Sequence, residues 1–171
     1  MKSRIALLLI VLTALLGFAA FYSAGGTRRA AGDEEVKWTD FNKGLEFSKS
    51  QNRKVIIDVY TDWCSWCKKM DASTYKNSEV AKYISENFIA IKLNAESTKE
   101  VSFMGQNYTE QQLAHGFGVT GFPSTIFFDE NQQPITVVPG YLDEKQFLTI
   151  LKFINEGAYK NQSFEEYMKG K

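Results

Sequence analysis

Thiols and imidazoles are scarce in this chain, which has two cysteines, Cys64 and Cys67, and one histidine, His115, in 171 residues. Two cysteines exclude a disulfide-rich scaffold, because such a framework needs several bridges. A structural zinc site needs four ligands, usually from two cysteine pairs. One pair beside Lys68 and Lys69, with a single histidine elsewhere, does not supply them. Thioether attachment of haem requires histidine directly after the second cysteine, and Lys68 stands there. Net charge is also missing: twenty basic residues balance twenty acidic ones, so composition gives no basic footprint for nucleic acid. No internal repeat is visible. Aromatics, in contrast, are plentiful, with thirteen Phe, eight Tyr and three Trp, which excludes a disordered composition. The length suits one domain with a real hydrophobic core.

The amino terminus stands apart. Lys2 and Arg4 precede an uncharged run of eighteen residues, Ile5 to Tyr22. A membrane span needs about 20 apolar residues and a signal core only about 7 to 15, so the run fits a signal-anchor or a signal peptide over residues 1–24. A small-x-small site at Gly17-Phe18-Ala19 would cut inside the run, which favours an uncleaved anchor. No cysteine follows it, which excludes a lipoprotein anchor. The positive flank holds the near end inside, so the remaining chain is expected to face the outside or the periplasm. If residues 1–24 are cleaved, a soluble exported protein is expected instead. Residues 25–35 are small and polar and read as a flexible linker.

From residue 36 the pattern is that of a mixed α/β domain, expected over 36–157. Trp38, Phe41 and Leu45 fall at helical spacing behind Thr39 or Asp40 as cap. "KVIIDVYT" is a nearly continuous β-branched run, the mark of a strand buried on both faces. Val80, Ile84 and Phe88 repeat at helical spacing, with Ser78 as the expected cap. "FIAIKLN" reads as a second buried strand. Thr109 and Gln112 form a capping-box pair ahead of a helix that stops at glycine. "STIFFD" and "ITVVPG" flank a turn and form an antiparallel hairpin. Phe147, Ile150, Leu151 and Ile154 stripe a final helix. Residues 95–111 read as a long polar connection, most simply a surface loop. His115, near a helix end, reads as structural. Residues 158–171 are a tail in which Ser163 and Glu166 mark a short helix. Strands alternating with helices imply parallel crossovers, and the late hairpin adds antiparallel pairing. The expected architecture is a central mixed sheet with helices on both faces.

The two cysteines fall just past the end of the first buried strand, at a helix start, where open α/β sheets place their sites. As bracing, a disulfide closing so short a loop removes little entropy from the unfolded chain. Thiol exchange fits better. The thiolate is the attacking species, and a helix amino terminus lowers the thiol pKa to about 3.5 to 7.5, against about 8.5 for a free thiol. Cys64 would attack, and Cys67, three residues on, would resolve the mixed disulfide. Asp58 lies within the buried strand, where a carboxylate is costly unless protonated or paired; the alternative is a solvated sheet margin.

"VIIDVYTDWCSWCK" resembles the active-site segment of the thioredoxin superfamily, and "GVTGFPSTIFF" resembles its proline loop. "IKLN" and "VPGYLDEKQFLTIL" follow in the family's order, so that the resemblance runs from about Val36 to Ile154. It is nearest to exported and membrane-tethered members, similar to the reducing outer domain of transmembrane thiol:disulfide interchange proteins. The resemblance implies a thioredoxin fold, with Cys64 as nucleophile, Cys67 as resolving thiol and Asp58 as the buried acid below it. Lys92 matches the lysine that faces this acid, although a lone strand lysine more often reaches outward to solvent. Trp63 matches the tryptophan beside the nucleophile. Pro123 matches the cis proline opposite the disulfide, which would aim the backbone of Phe122 at a partner strand and keep metal from the thiols. Gly140 fits the glycine near the rim. The Ser65-Trp66 dipeptide departs from the Gly-Pro of cytosolic members, so their potential does not carry over; Trp66 would shield the disulfide or help dock a partner.

The expected function is a thiol:disulfide oxidoreductase acting on protein disulfides outside the cytosol, in the reducing direction. No metal and no cofactor are expected. Its partners would be disulfide-bearing proteins and a membrane electron donor. No dimerisation segment is visible, so a monomer is expected. Two alternatives stay open. One is a disulfide oxidant or isomerase; the other is a noncatalytic binding module whose cysteines form a fixed disulfide or a transient copper clasp.

Overall fold

The computed structural model describes residues 35–170. The expected anchor over residues 1–24, and the expected linker up to residue 34, lie outside the described residues. Among the described residues no helix is long and apolar enough to cross a membrane.

The elements run β1 (Trp38–Thr39), α1 (Phe41–Gln51), β2 (Lys54–Tyr60), α2 (Ser65–Ala72), α3 (Ser78–Asn87), β3 (Phe88–Asn94), β4 (Glu100–Phe103), β5 (Gln106–Thr109), α4 (Glu110–Gly116), β6 (Ser124–Phe128), β7 (Pro134–Pro139) and α5 (Glu144–Asn155). A 3-10 turn (Ala158–Lys160) and α6 (Phe164–Lys169) close the chain. The main sheet has strand order β1-β3-β2-β6-β7. β3 pairs in parallel with β1 and β2, while β6 runs antiparallel to both β2 and β7. β2 is therefore central, in keeping with its nearly continuous β-branched sequence.

Side-chain alternation divides β2 between two cores. Val55, Ile57 and Val59 face Phe41 and Leu45 of α1 and Leu113 of α4. Ile56 faces Met70 of α2, Val80 and Ile84 of α3, and Phe147 and Leu151 of α5. Helices thus cover both faces of a mixed sheet, as the sequence predicts. α1 approaches β3 closely at Gly44, where a Cβ would overlap the Ile91 side chain.

Three local expectations change. Trp38 belongs to β1, not to a helix: the extended Asp40 caps α1, its carboxylate accepting the Lys43 N–H at 3.0 Å, and the helix begins at Phe41. Asn77, not Ser78, caps α3, because its side chain accepts the N–H groups of Glu79 and Val80. Residues 95–111 are not a plain loop. They contain the β4–β5 hairpin, held down by Val101 in the core, by Phe103 against Phe41, Phe117 and Phe128, and by the Ser102 N–H donating to Asn42. The capping boxes of α4 and α6 form as the sequence predicts, at Thr109–Gln112 and Ser163–Glu166. α6 packs through Tyr167, which is buried with its ring 5.1 Å from that of Phe153.

Candidate active site

β2 ends at Tyr60, and four residues later Cys64 stands at the N-cap of α2. Its backbone is extended, its N–H donates to the Thr61 carbonyl at 3.2 Å, and its sulfur accepts the Cys67 N–H at 3.0 Å. Cysteine here takes the place that Ser, Asp or Asn usually fills at a helix start. Cys64 and Cys67 are joined as a disulfide with a Cα–Cα distance of 5.3 Å. Burial does not separate the two sulfurs, since the residues are 4% and 3% exposed. Backbone position does: only Cys64 aims its sulfur at the unpaired N–H groups and positive dipole end of the helix.

Asp58 is two residues beyond Ile56 and so shares its face, the α2 side of the sheet, where it is 1% exposed. It sits in register between Lys92 on β3 and Thr125 on β6. Its carboxylate accepts hydrogen bonds from the Lys92 ammonium and, at 3.1 Å, from the Tyr75 hydroxyl. Lys92 turns back into the sheet and also binds Asp71 of α2 at 2.6 Å. The ammonium lies 4.7, 5.2 and 5.4 Å from the ring centroids of Trp38, Tyr60 and Tyr75. Burial raises the Asp58 pKa above the ordinary carboxylate value, and Lys92 only partly opposes it. Burial acts to lower the Lys92 pKa, but the Asp58 and Asp71 charges outweigh it and leave it raised. Tyr75 is held well above its usual value by burial and by Asp58, so it remains a hydrogen-bond donor. The arrangement is a carboxyl whose neutral form is within reach, flanked by a permanent cation.

The rim is aromatic. Trp63 is 66% exposed, its indole N–H donates to Glu96 at 2.9 Å, and its ring meets Phe122 edge-on at 6.0 Å. The Phe122–Pro123 peptide bond is cis. The Pro123 carbonyl accepts the N–H of Gly140 at 2.8 Å, and Gly140 has φ +90°, a conformation that glycine adopts without steric penalty. On the other side Trp66, 54% exposed, packs on Tyr141 at 5.4 Å.

The structure thus groups Trp63 with Phe122, and Asp58 with Lys92, while Trp66 points to a different neighbour. Sequence reasoning missed Asp71, Tyr75, Glu96, Lys69 and Tyr141. Asp71 carried one usable signal, its position one helical turn beyond Cys67; the others carried none. Among the described residues no group of three or more His, Cys, Asp or Glu is arranged to hold a metal ion.

A family model described as a thioredoxin-like domain matches residues 41–155. The thiol:disulfide interchange protein DsbD of Actinobacillus pleuropneumoniae serotype 5b (strain L20) is 30% identical over 108 residues, which is 62% of this chain and 17% of that protein. The chain therefore spans about a sixth of the length of the curated relatives it matches. A thioredoxin-fold protein from Helicobacter pylori superposes with TM-score 0.65 at 20% identity, covering 83% of this chain and 91% of that one. The DsbH oxidoreductase structure superposes with TM-score 0.57 at 22% identity, covering 82% of this chain and 94% of that one. At these identities the two structures establish the fold.

Proposed function

The chain belongs to the thioredoxin-like domain family, and from that premise we propose that it is a thiol:disulfide oxidoreductase working on protein disulfides through Cys64 and Cys67. The observation that carries the reading is the Cys64 sulfur, joined to Cys67 and accepting its N–H at the start of α2. In the reduced protein that environment favours the Cys64 thiolate.

The thiolate attacks one sulfur of a partner disulfide. A Cys64–partner bond forms, the partner's S–S bond breaks, and the departing partner sulfur takes a proton. Cys67 then loses its proton and attacks the Cys64 sulfur. The Cys64–Cys67 bond forms as the second partner sulfur leaves and is protonated. Two electrons have moved from the domain to the partner, and a second dithiol must return them. Asp58 is assigned the proton at Cys67, because burial raises its pKa above the ordinary carboxylate value and so favours a form that can carry a proton. Lys92 holds the Asp58 carboxyl. Trp63, Trp66, Phe122 and Pro123 form the surface that receives the partner segment.

The reducing direction outside the cytosol is the favoured one. The Asp58–Lys92 pair, which matches the reducing members that the sequence resembles, supports it. In this reading residues 1–24 anchor the chain, residues 25–35 are a linker, residues 36–157 form the catalytic domain and residues 158–171 its tail. The domain works as a monomer beside a membrane electron donor, and the tether raises that donor's effective concentration.

The test is reduction of a protein disulfide by the full chain with a small dithiol as electron source. Activity should vanish in Cys64→Ser, and Cys67→Ser should accumulate a mixed disulfide visible by mass. Undiminished activity in Cys64→Ser would overturn the reading. For the anchor, the full-length mass should stay with washed membranes and be removed by protease added outside.

A further inference from the structure

Each cysteine follows an exposed tryptophan, and the two tryptophans carry partners of opposite charge. Trp63 is tied to an acidic group, Glu96. Lys69 stands with its ammonium 4.6 Å from the Trp66 ring centroid and 4.9 Å from that of Tyr141. The two rings come from separate elements, α2 and the loop that joins β7 to α5, and meet at 5.4 Å. Tyr141 follows Gly140, whose N–H is bound to the Pro123 carbonyl, so the shelf is fixed to the proline loop. Among the described residues no carboxylate pairs with Lys69 or with its exposed neighbour Lys68. The nearest acid on the same helix, Asp71, is already engaged by Lys92.

A cation placed over two ring faces is oriented by them. Lys69 is exposed, so its ammonium meets the two rings and remains accessible from solvent. Such a group gains when a carboxylate arrives in the plane of the shelf, because the approaching charge meets a cation that needs no reorganisation. An uncharged side chain would gain only contact with the rings, and a cation would be repelled.

We propose that Lys69, Trp66 and Tyr141 form a specificity subsite that accepts an acidic side chain flanking the reactive cysteine of a partner polypeptide. The subsite rests on the exchange reading above and names the partner chemistry that the reading leaves open. Lys69 acts in recognition, and the bond changes remain those of Cys64 and Cys67.

The experiment uses three disulfide-linked peptides that differ only in having Glu, Gln or Lys at the two positions flanking cysteine. Their reduction by the full chain, kept reduced by a small dithiol, is followed as kcat/KM at low salt. The Glu peptide should be favoured over the Gln peptide by about fivefold, the scale of one exposed charge pair, and the preference should shrink as salt is added. Lys69→Gln should bring the ratio near one, and Lys69→Glu should turn the preference toward the Lys peptide. An unchanged Glu/Gln ratio in Lys69→Gln overturns the subsite. So does an equal slowing of all three peptides, which would mark Lys69 as a field effect on the thiolate. In both cases the exchange reading stands. No reduction of any peptide by the wild-type chain overturns that reading and the subsite with it.

Discussion

Ile57 and Asp58 are consecutive in β2 and equally hidden, at 0% and 1% exposure, yet they serve opposite faces of one sheet. The Ile57 face packs an apolar cluster that runs from Phe41 and Leu45 to Ile91, Ile126 and Phe128. The Asp58 face begins the same way at Ile56, Ala90 and Phe127. Toward the C-terminal ends of β2 and β3 it becomes a charged network of Asp58, Lys92, Asp71 and Tyr75. Buried ion pairs are weak contributors to stability, because desolvation offsets most of the attraction. The apolar clusters on both faces therefore carry the fold. The network is retained where the cysteines are, at some cost in stability.

The largest effect should come from Cys64→Ser, which leaves both faces intact. Exchange should fall by about three orders of magnitude or more, measured as protein-disulfide reduction, with the unfolding midpoint moving little beyond loss of the short bridge. In the reduced wild type, mass mapping of alkylated peptides should find Cys64 labelled before Cys67. Faster labelling of Cys67 would reverse their roles.

Next comes the apolar face. Ile57→Ala should lower stability by about 2–5 kcal/mol in denaturant unfolding, since the site is fully packed. The pH profile of exchange should keep its shape. A change in that profile would mean that the two faces are coupled.

Gly44→Ala tests the same face from outside. The added methyl meets the buried Ile91 side chain, and an overpacked core costs about 1–3 kcal/mol. A neutral or stabilising result would show that α1 can move away from β3 freely.

Asp58→Asn should have the smallest effect on stability and a distinct kinetic one. Release of the mixed disulfide should slow by about tenfold or more, with its formation less affected. The linkage has a definite sign. The folded-state pKa of Asp58 is raised above its ordinary value of 3.8, so the folded state binds the extra proton. Stability is therefore fullest below the ordinary value and declines as pH rises toward the raised one. Asp58→Asn should remove that decline, measured as unfolding free energy across a pH series. A wild-type slope that survives the substitution would assign it to another group.

Part of this molecule could be read directly from the sequence. The β-branched run around Asp58, the stripe Phe147, Ile150, Leu151 and Ile154, and the capping pairs Thr109–Gln112 and Ser163–Glu166 are all local signals, and each formed the element it predicted. The cysteine spacing joined to the proline loop pointed to the fold. Other features were not legible. Trp38 lies at helical spacing from Phe41, but the cap at Asp40 gave it to a strand. The β4–β5 hairpin has too few buried positions to announce itself; Val101 is its one buried residue, and Phe103 is held by three rings from distant segments. The network under the cysteines was half visible. Asp58 and Lys92 stood out as charges inside apolar strands, whereas Asp71 was marked only by its place one turn beyond Cys67 and Tyr75 by nothing.

The sequence by itself determined where the buried strands and most helices lie and which two thiols can meet, because hydrophobic period, capping and a three-residue spacing act over a single turn or strand. Only the tertiary structure decided which charges share Lys92 and which rings flank the disulfide. Those contacts join residues 21 and 34 positions apart at Lys92 and 33 apart at Trp63 and Glu96. Their partners are fixed by the parallel register of β2 on β3, and that register is set by packing both faces of the sheet at once.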